Sequence, residues 1–116
     1  HTGFPWDRSE EGLATWRRAM EAVARQPNVH VKVSEFGLKD ATWDYESNKR
    51  VVREAIAIFG IERCLFATNF PVAGLRIDYD TLVRSISHML ADLSPADRDR
   101  FFWKNAANFY RLETPA

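Results

Sequence analysis

A polar residue placed directly after an apolar strand is the strongest chemical signal in this sequence. Residues 64–68 (CLFAT) are typical of a buried strand, and Asn69 follows them, with Pro71 two positions further on. Proline cannot continue a sheet ladder, so the strand ends here. Because α/β proteins bind ligands beyond the carboxyl ends of their strands, Asn69 is a candidate site residue. Its neutral amide can orient a water molecule or donate a hydrogen bond to an oxyanion, but it cannot act as a general base.

A second strand carries polar side chains toward its carboxyl end. Residues 29–34 (VHVKVS) alternate, so the three valines share one face and His30, Lys32 and Ser34 share the other. Ser34 is nearest to the following loop and is the better candidate for a substrate contact. Lys32 is a second candidate, or else a paired interior charge, and His30 is assigned a structural role because it is furthest from the loop.

The first residues of the chain look like the loop that follows a further strand. Residues 1–5 (HTGFP) would place His1 at a strand end. The sequence therefore predicts the back part of a larger fold. Three of the four tryptophans are expected in the core or in helix packing, while Trp6 or Trp43, both in predicted loops, could line the mouth of a site.

Helices alternate with these strands. Ser9, Asp78 and Ser94 predict helix starts, and Gly60 predicts a helix end. Apolar residues at helical spacing mark the buried face of each helix. These are Leu13, Trp16, Met20 and Val23; Val51, Val52, Ala55, Ile58 and Phe59; Leu82, Ile86, Met89 and Leu90; and Phe101, Phe102, Ala106, Phe109 and Tyr110. The alternation predicts an α/β fold with a parallel sheet, in one domain over residues 1–116.

A sheet of only two complete strands cannot bury itself. Each strand would need neighbours on both edges, and the inner face of the sheet would be uncovered. We therefore expect the chain either to form a homo-oligomer or to lie beside the missing N-terminal part of the same fold.

The composition excludes several classes of partner. Sixteen Lys and Arg residues balance sixteen Asp and Glu residues, so no basic field indicates nucleic acid. The longest apolar runs are too short to span a membrane, and no signal peptide is visible. The single cysteine, Cys64, cannot form an internal disulfide and is expected in the core. A reducing, cytoplasmic compartment is the expected location.

Four segments, taken together, resemble one known family. They are residues 1–5 (HTGFP), 27–34 (PNVHVKVS), 59–71 (FGIERCLFATNFP) and 105–110 (NAANFY). Their order is similar to that in amidohydrolase-related proteins, in the lactonase-like branch of predicted TIM-barrel metal-dependent hydrolases. The resemblance implies the C-terminal portion of a (β/α)8 TIM barrel. His1 would follow strand six, residues 29–34 would be strand seven, and residues 64–68 would be strand eight.

The resemblance also implies a chemistry. The family carries out metal- or carboxylate-assisted hydrolysis with histidines and an acid at the end of strand eight, around a zinc-like ion that activates water. It implies that His1 and Asn69 are catalytic, that His1 is a metal ligand or carbonyl polariser, and that Ser34, Lys32 and Trp6 bind substrate. Asn69 departs from the family pattern because it stands where the acid is expected.

The expected function is the hydrolysis of a small lactone or related carbonyl compound by a full-length parent that holds a divalent metal. The isolated chain is expected to be inactive and to bind no metal tightly. Two other classes are open: a non-catalytic half-barrel that dimerises through its open sheet, and an unrelated small α/β interaction module. Polar residues at consecutive strand ends favour the barrel over the module.

Overall fold

The computed structural model describes residues 1–114 as alternating helices and short strands. In chain order the elements are helix α1 (Glu10–Ala24), strand β1 (Val31–Val33), helix α2 (Tyr45–Phe59), strand β2 (Cys64–Phe66), and helices α3 (Tyr79–Met89), α4 (Pro95–Asp99) and α5 (Asn105–Tyr110). Short 3₁₀ helices cover Ile61–Arg63 and Val72–Leu75, and a π-helical turn, Arg100–Lys104, joins α4 to α5. The predicted mixture of strands and helices is confirmed.

The two strands pair in parallel, with Val33 opposite Phe66. On the other edge of β1, the backbone N–H of Thr2 donates to the carbonyl of Lys32 at 2.9 Å. The Thr2 hydroxyl donates to the Ser34 carbonyl at 2.6 Å and accepts from the Ser34 N–H at 2.9 Å. Strand β1 therefore lies between the N-terminal segment and β2, and this arrangement brings three connecting loops together at one end of the sheet.

The helix starts follow from side-chain capping. The side chains of four residues each accept a hydrogen bond from the backbone N–H three residues further on: Ser9, Asp44, Asp78 and Ser94. Such a cap satisfies one of the amides that the first helical turn leaves unpaired, and it stabilises a helix by about 1 kcal/mol. Gly60 ends α2 with a positive φ of 79°, a conformation that glycine adopts without steric cost. The boundaries predicted at Ser9, Asp78, Ser94 and Gly60 are confirmed, and the cap at Asp44 is an addition from the structure.

The core lies between the helices and one face of the sheet. Its fully buried members include Val33, Val51, Ile86 and Phe101, and Met20 and Met89 are buried as predicted. Cys64 at the start of β2 is also fully buried, and desolvation raises the pKa of its thiol to about 12.

Cys64 should therefore be unreactive in the folded protein. The thiolate is the reactive form, and with a pKa near 12 almost none is present at pH 8. We expect an aromatic disulfide reagent to titrate no Cys64 thiol until urea unfolds the protein, after which the thiol should react fully. Rapid reaction under native conditions would contradict the burial.

The two strands are shorter than predicted. The expected strands 29–34 and 64–68 reduce to three residues each because hydrogen bonding between them spans only that length. The predicted buried position of Val23 is also wrong, since its side chain is 47% exposed near the end of α1. The alternation of residues 29–34 places Lys32 and Ser34 on the polar face of the strand. Lys32 is exposed, but Ser34 is fully buried because the N-terminal segment covers it.

The π-helical turn changes which residues of the last helix are buried. Phe101 is buried as predicted, but Phe109 and Tyr110 are 47% and 54% exposed, and Ala107 is buried in place of Ala106. A π turn contains one more residue than an α turn, so it moves the buried face of everything after it by one position. The predicted burial of Phe109 and Tyr110 was wrong, and Trp103, within the turn, is exposed as well.

A buried asparagine ties the last helix to the second strand. The Asn105 side-chain amide donates to the carbonyls of Ile61 at 2.6 Å and Cys64 at 2.9 Å. These bonds give a side-chain donor to two carbonyls at the entry to β2. Asn105 therefore fixes where β2 begins.

The Arg63 guanidinium joins the carboxyl ends of two helices. It donates to the carbonyl of Phe59 at 3.0 Å, to that of Ala24 at 2.9 Å and to that of Gln26 at 2.9 Å. A fourth contact reaches the carbonyl of Val29 at 3.3 Å, just before β1. The last carbonyls of a helix have no partner within the helix, so one side chain satisfies groups from α1, α2 and the loop between α1 and β1.

Several large apolar side chains are exposed. They include Phe4 and Trp6 in the N-terminal loop, Leu75 after β2, and Phe109 and Tyr110 in the last helix. Within residues 1–114, no helix combines the length and the hydropathy needed to cross a bilayer.

Candidate active site

His1 and Ser34 meet at the end of the sheet. The Nδ1 atom of His1 lies 2.8 Å from the Ser34 Oγ atom. Ser34 is fully buried, and Thr2 holds its backbone on both sides. This contact fixes the imidazole through one nitrogen and leaves Nε2 for a ligand, since the orientation of a histidine ring is set by the bond that its other nitrogen makes.

Glu35 and Asn69 form the second pair at these strand ends. Glu35 comes directly after Ser34, and the Asn69 side-chain amide donates a hydrogen bond to the Glu35 Oε2 atom. The two residues have φ angles of 54° and 57°, and Thr2, in the third loop, has a φ of 55°. Left-handed backbone in residues other than glycine clusters at functional sites, and here it occurs in all three loops.

A cleft of about 550 Å³ opens beside these residues. His1 and Glu35 lie on its polar side, and Phe4 and Trp6 form an aromatic wall in which the ring centroids are 5.1 Å apart. The rest of the lining is Gly37, Leu38, Lys39, Ala41, Val72, Leu75 and Arg76. An imidazole and a carboxylate beside an aromatic wall suit a small ring compound with a carbonyl group.

Arg76 and Gly37 shape the side of the cleft next to Glu35. The Arg76 Nε atom donates to the carbonyl of Leu38 at 3.0 Å. A β-carbon on Gly37 would lie 2.5 Å from Arg76 Cδ and 3.3 Å from Glu35 Oε1. Only a residue without a side chain lets the guanidinium stem and the carboxylate approach each other this closely.

Arg8 anchors the aromatic wall. Its guanidinium donates to Ser47 Oγ at 2.8 Å and to Asn48 Oδ1 at 3.0 Å, both in α2, and to the Phe36 carbonyl at 3.4 Å. Burial of this cation lowers the pKa of Arg8, and the nearby charge of Asp44 opposes that change. The N-terminal loop is thereby fastened to the loop that carries Glu35.

The structure gives each predicted site residue a definite location. His1 and Trp6 line the cleft, and Trp6 is 64% exposed. Ser34 contacts His1 from below the surface, and Asn69 reaches the cleft through Glu35. Lys32 is exposed on β1 and is not part of the cleft lining. The roles assigned to these residues stay predictions.

Sequence reasoning missed Glu35. Glu35 was not singled out, although it follows residues 29–34 directly, as Asn69 follows the apolar run 64–68. The same rule that identified Asn69, a polar residue at the first turn beyond a strand, also applies to Glu35.

A metal site needs more donors than this part of the chain supplies. In residues 1–114 no group of three or more His, Cys, Asp or Glu side chains is close enough to hold an ion. Zinc in proteins usually has three or four protein ligands, whereas the cleft offers His1 and Glu35. The residues present do not make a complete metal site.

The fold and the site define a parallel α/β protein whose polar residues meet at the ends of its strands. The chain belongs to the amidohydrolase family, whose sequence pattern matches residues 1–112. The resemblance seen in the four sequence segments is thus confirmed.

Its relatives include proteins of named and of unknown function. It is 39% identical to the uncharacterized protein y4mH of Sinorhizobium fredii, over 97% of this chain and 37% of that protein. It is 30% identical to an L-fucono-1,5-lactonase of Burkholderia multivorans, over 100% of this chain and 43% of that enzyme. The chain therefore spans less than half the length of these curated relatives.

Solved structures agree with the sequence comparison. Two crystal structures of an amidohydrolase from Burkholderia multivorans, one with bound HEPES and one with bound zinc, superpose with TM-scores of 0.87 and 0.83. Their sequence identities to this chain are 28% and 26%. The matches cover 97% and 96% of this chain but 43% and 41% of those chains.

Proposed function

We propose that this chain forms the C-terminal portion of a (β/α)8 barrel that hydrolyses a small lactone or a related carbonyl compound. On this proposal β1 is strand seven, β2 is strand eight, and His1 follows strand six. The observation that carries it is the meeting of His1 and Glu35 in one cleft at the strand ends, which is where barrels of this type bind substrate. The similarity to an L-fucono-1,5-lactonase supports the choice of substrate class.

The residues of the cleft have separate proposed roles. His1, fixed by Ser34, polarises the carbonyl of the substrate through its free nitrogen, which stabilises negative charge that develops on the carbonyl oxygen. Trp6 and Phe4 cover one face of the ring, because aromatic side chains supply large apolar contact surfaces. Lys32 is assigned to substrate binding in the whole protein, as its exposed side chain is near the open face of the sheet.

A divalent, zinc-like ion belongs to the proposal for the whole protein. His1 is the imidazole that this chain would contribute to it, in which case its free nitrogen would hold the ion instead of contacting the carbonyl directly, and the other ligands would come from the rest of the barrel. When bound, such an ion polarises a carbonyl or activates a water molecule. By itself this chain is proposed to be inactive.

The exposed apolar surfaces indicate what must lie beside the chain. Phe109 and Tyr110 in the last helix are about half exposed, and the sheet within residues 1–114 has two strands, each with an open edge or face. We assign the remainder of the barrel, or a second copy of the chain, to these surfaces. The small-molecule substrate is the other partner, and neither nucleic acid nor a membrane is proposed.

The whole protein should hydrolyse lactones. We expect proton release, followed with a pH indicator, when the purified whole protein is mixed with a panel of five- and six-membered sugar lactones, at a rate well above spontaneous hydrolysis. Residues 1–116 expressed alone, tested at the same concentration, should release protons at the spontaneous rate.

Two results would count against the proposal. A whole protein that hydrolyses no lactone of the panel, yet forms a stable dimer by sedimentation, would support the non-catalytic half-barrel instead. Full activity of the isolated segment would show that the cleft needs nothing beyond this chain.

A further inference from the structure

The Glu35 carboxylate is the one acidic group that lines the aromatic cleft among the described residues, and the proposed reaction leaves it without a role. Asn69 cannot take a proton from water, yet hydrolysis of an ester needs a group that does so. We propose that Glu35 is the proton acceptor of this site and that Asn69 is its positioning residue. This inference rests on the proposed function.

The contact between the two side chains is the first support. The Asn69 amide donates to Glu35 Oε2, and within residues 1–114 no hydrogen bond is made to Oε1. One carboxylate oxygen is therefore held in place by Asn69, while the other has no hydrogen-bond donor among the described residues and can accept a proton.

The charged groups around Glu35 come from three elements. His1 lies in the N-terminal loop, Lys39 lies in the loop after β1, and Arg76 follows the 3₁₀ helix after β2. Arg76 is close enough that a β-carbon on Gly37 would touch both its stem and the Glu35 carboxylate. Lys39 and Arg76 are the permanent cations that share the cleft lining with Glu35.

The backbone is the second, independent support. Glu35 has a φ of 54°, a conformation that glycine adopts without steric cost but a glutamate does not. A glycine would make the same turn at less strain. The presence of a long acidic side chain at such a position is explained by use of the carboxylate rather than by the needs of the turn.

Lactone hydrolysis with Glu35 as the proton acceptor has two steps. A water molecule gives one proton to Glu35 Oε1 while its oxygen attacks the lactone carbonyl carbon, and the π-electron pair moves to the carbonyl oxygen. The tetrahedral oxyanion then collapses, the carbonyl re-forms, and the ring C–O bond breaks. The ring oxygen leaves with the bonding pair and takes the proton from Glu35, so that a hydroxy acid forms and the carboxylate is restored.

The test compares Glu35 variants of the whole protein on a lactone that the unsubstituted protein hydrolyses. Glu35→Gln should lower kcat about 10²–10⁴-fold, the range for loss of a general base, and should remove the acid limb of the pH–rate profile. Glu35→Gly should lower kcat as much while the urea midpoint stays equal or rises. Glu21→Gln, which changes an exposed acid on α1, should match the unsubstituted protein.

The possible results test the role of Glu35 separately from the proposed lactone hydrolysis. A protein that is active but whose Gln variant keeps its kcat and its acid limb would overturn the role of Glu35 and leave the proposed function standing. A whole protein with no activity on any lactone would overturn both. If Glu35→Gly unfolded the protein while Glu35→Gln were fully active, Glu35 would have a structural role, and the inference would fail.

Discussion

Replacement of Asn69 with alanine should lower kcat of the whole protein about 10²-fold, with little change in KM. The amide that holds Glu35 Oε2 would be lost, and the carboxylate would be free to turn away from the attacking water. A displacement of about 1 Å at a reacting group is enough for a loss of about 10²-fold. Steady-state kinetics on a lactone substrate, with the folded fraction measured by circular dichroism, would test this.

Replacement of Asn69 with aspartate should move the pH dependence. Two carboxylates would then share the position, and like charges at this distance cannot both ionise easily, so the upper apparent pKa of the pair rises. An acid whose pKa rises is charged only at higher pH. The acid limb of the pH–rate profile should therefore move upward by at least about one unit, so that the variant loses activity at mildly acidic pH where the unsubstituted protein still turns over.

The competing role for Asn69 is a cap of its own loop, a common use of asparagine in turns. That role predicts a lower urea midpoint for the alanine variant with kcat per folded molecule unchanged. It also predicts that the aspartate variant keeps its pH profile, since aspartate caps turns as well as asparagine does. Either result would remove Asn69 from the mechanism.

Replacement of Arg63 with alanine should lower the free energy of unfolding by about 2–3 kcal/mol, the upper part of the range for a hydrogen bond from a charged group. Four carbonyls at the ends of α1 and α2 and before β1 would lose their donor at once. Urea denaturation should show a lower midpoint with an unchanged slope, the pattern of a loss of stability without a change of the folded state.

Arg84→Ala is the matched control for Arg63. Arg84 is 80% exposed and approaches Asp80 at 4.0 Å within α3, and isolated surface ion pairs contribute little. Its urea midpoint should match that of the unsubstituted protein. Equal midpoints for the Arg63 and Arg84 variants would mean that water replaces the guanidinium at the helix ends without loss.

The parts of the fold that local chemistry specifies could be predicted from the sequence. Ser9, Asp78 and Ser94 began helices where their side chains could cap, and Gly60 ended one. These contacts join residues three or four positions apart, so they can be identified from the spacing of residue types along the sequence. The alternation of strands and helices likewise gave the parallel sheet.

What could not be predicted depends on contacts between distant residues. The burial of Ser34 comes from Thr2, which is 32 positions away. Helical periodicity also does not reveal the π turn, after which Ala107 is buried in place of Ala106. The site was predicted in part because a strand end can be seen in a sequence, whereas the bond from Asn69 to Glu35 joins two loops and becomes visible only in three dimensions.

The left-handed backbone at Thr2, Glu35 and Asn69 also bears on how such a protein changes its chemistry over time. At these positions the loop conformation, and not the side chain, sets the direction of the bond from Cα to Cβ. Glycine, asparagine and aspartate all tolerate this conformation. A single codon change can therefore exchange one reactive group for another while the loop conformation is unchanged. Families built in this way are expected to diverge in substrate and mechanism at a few strand-end positions, with the surrounding packing intact.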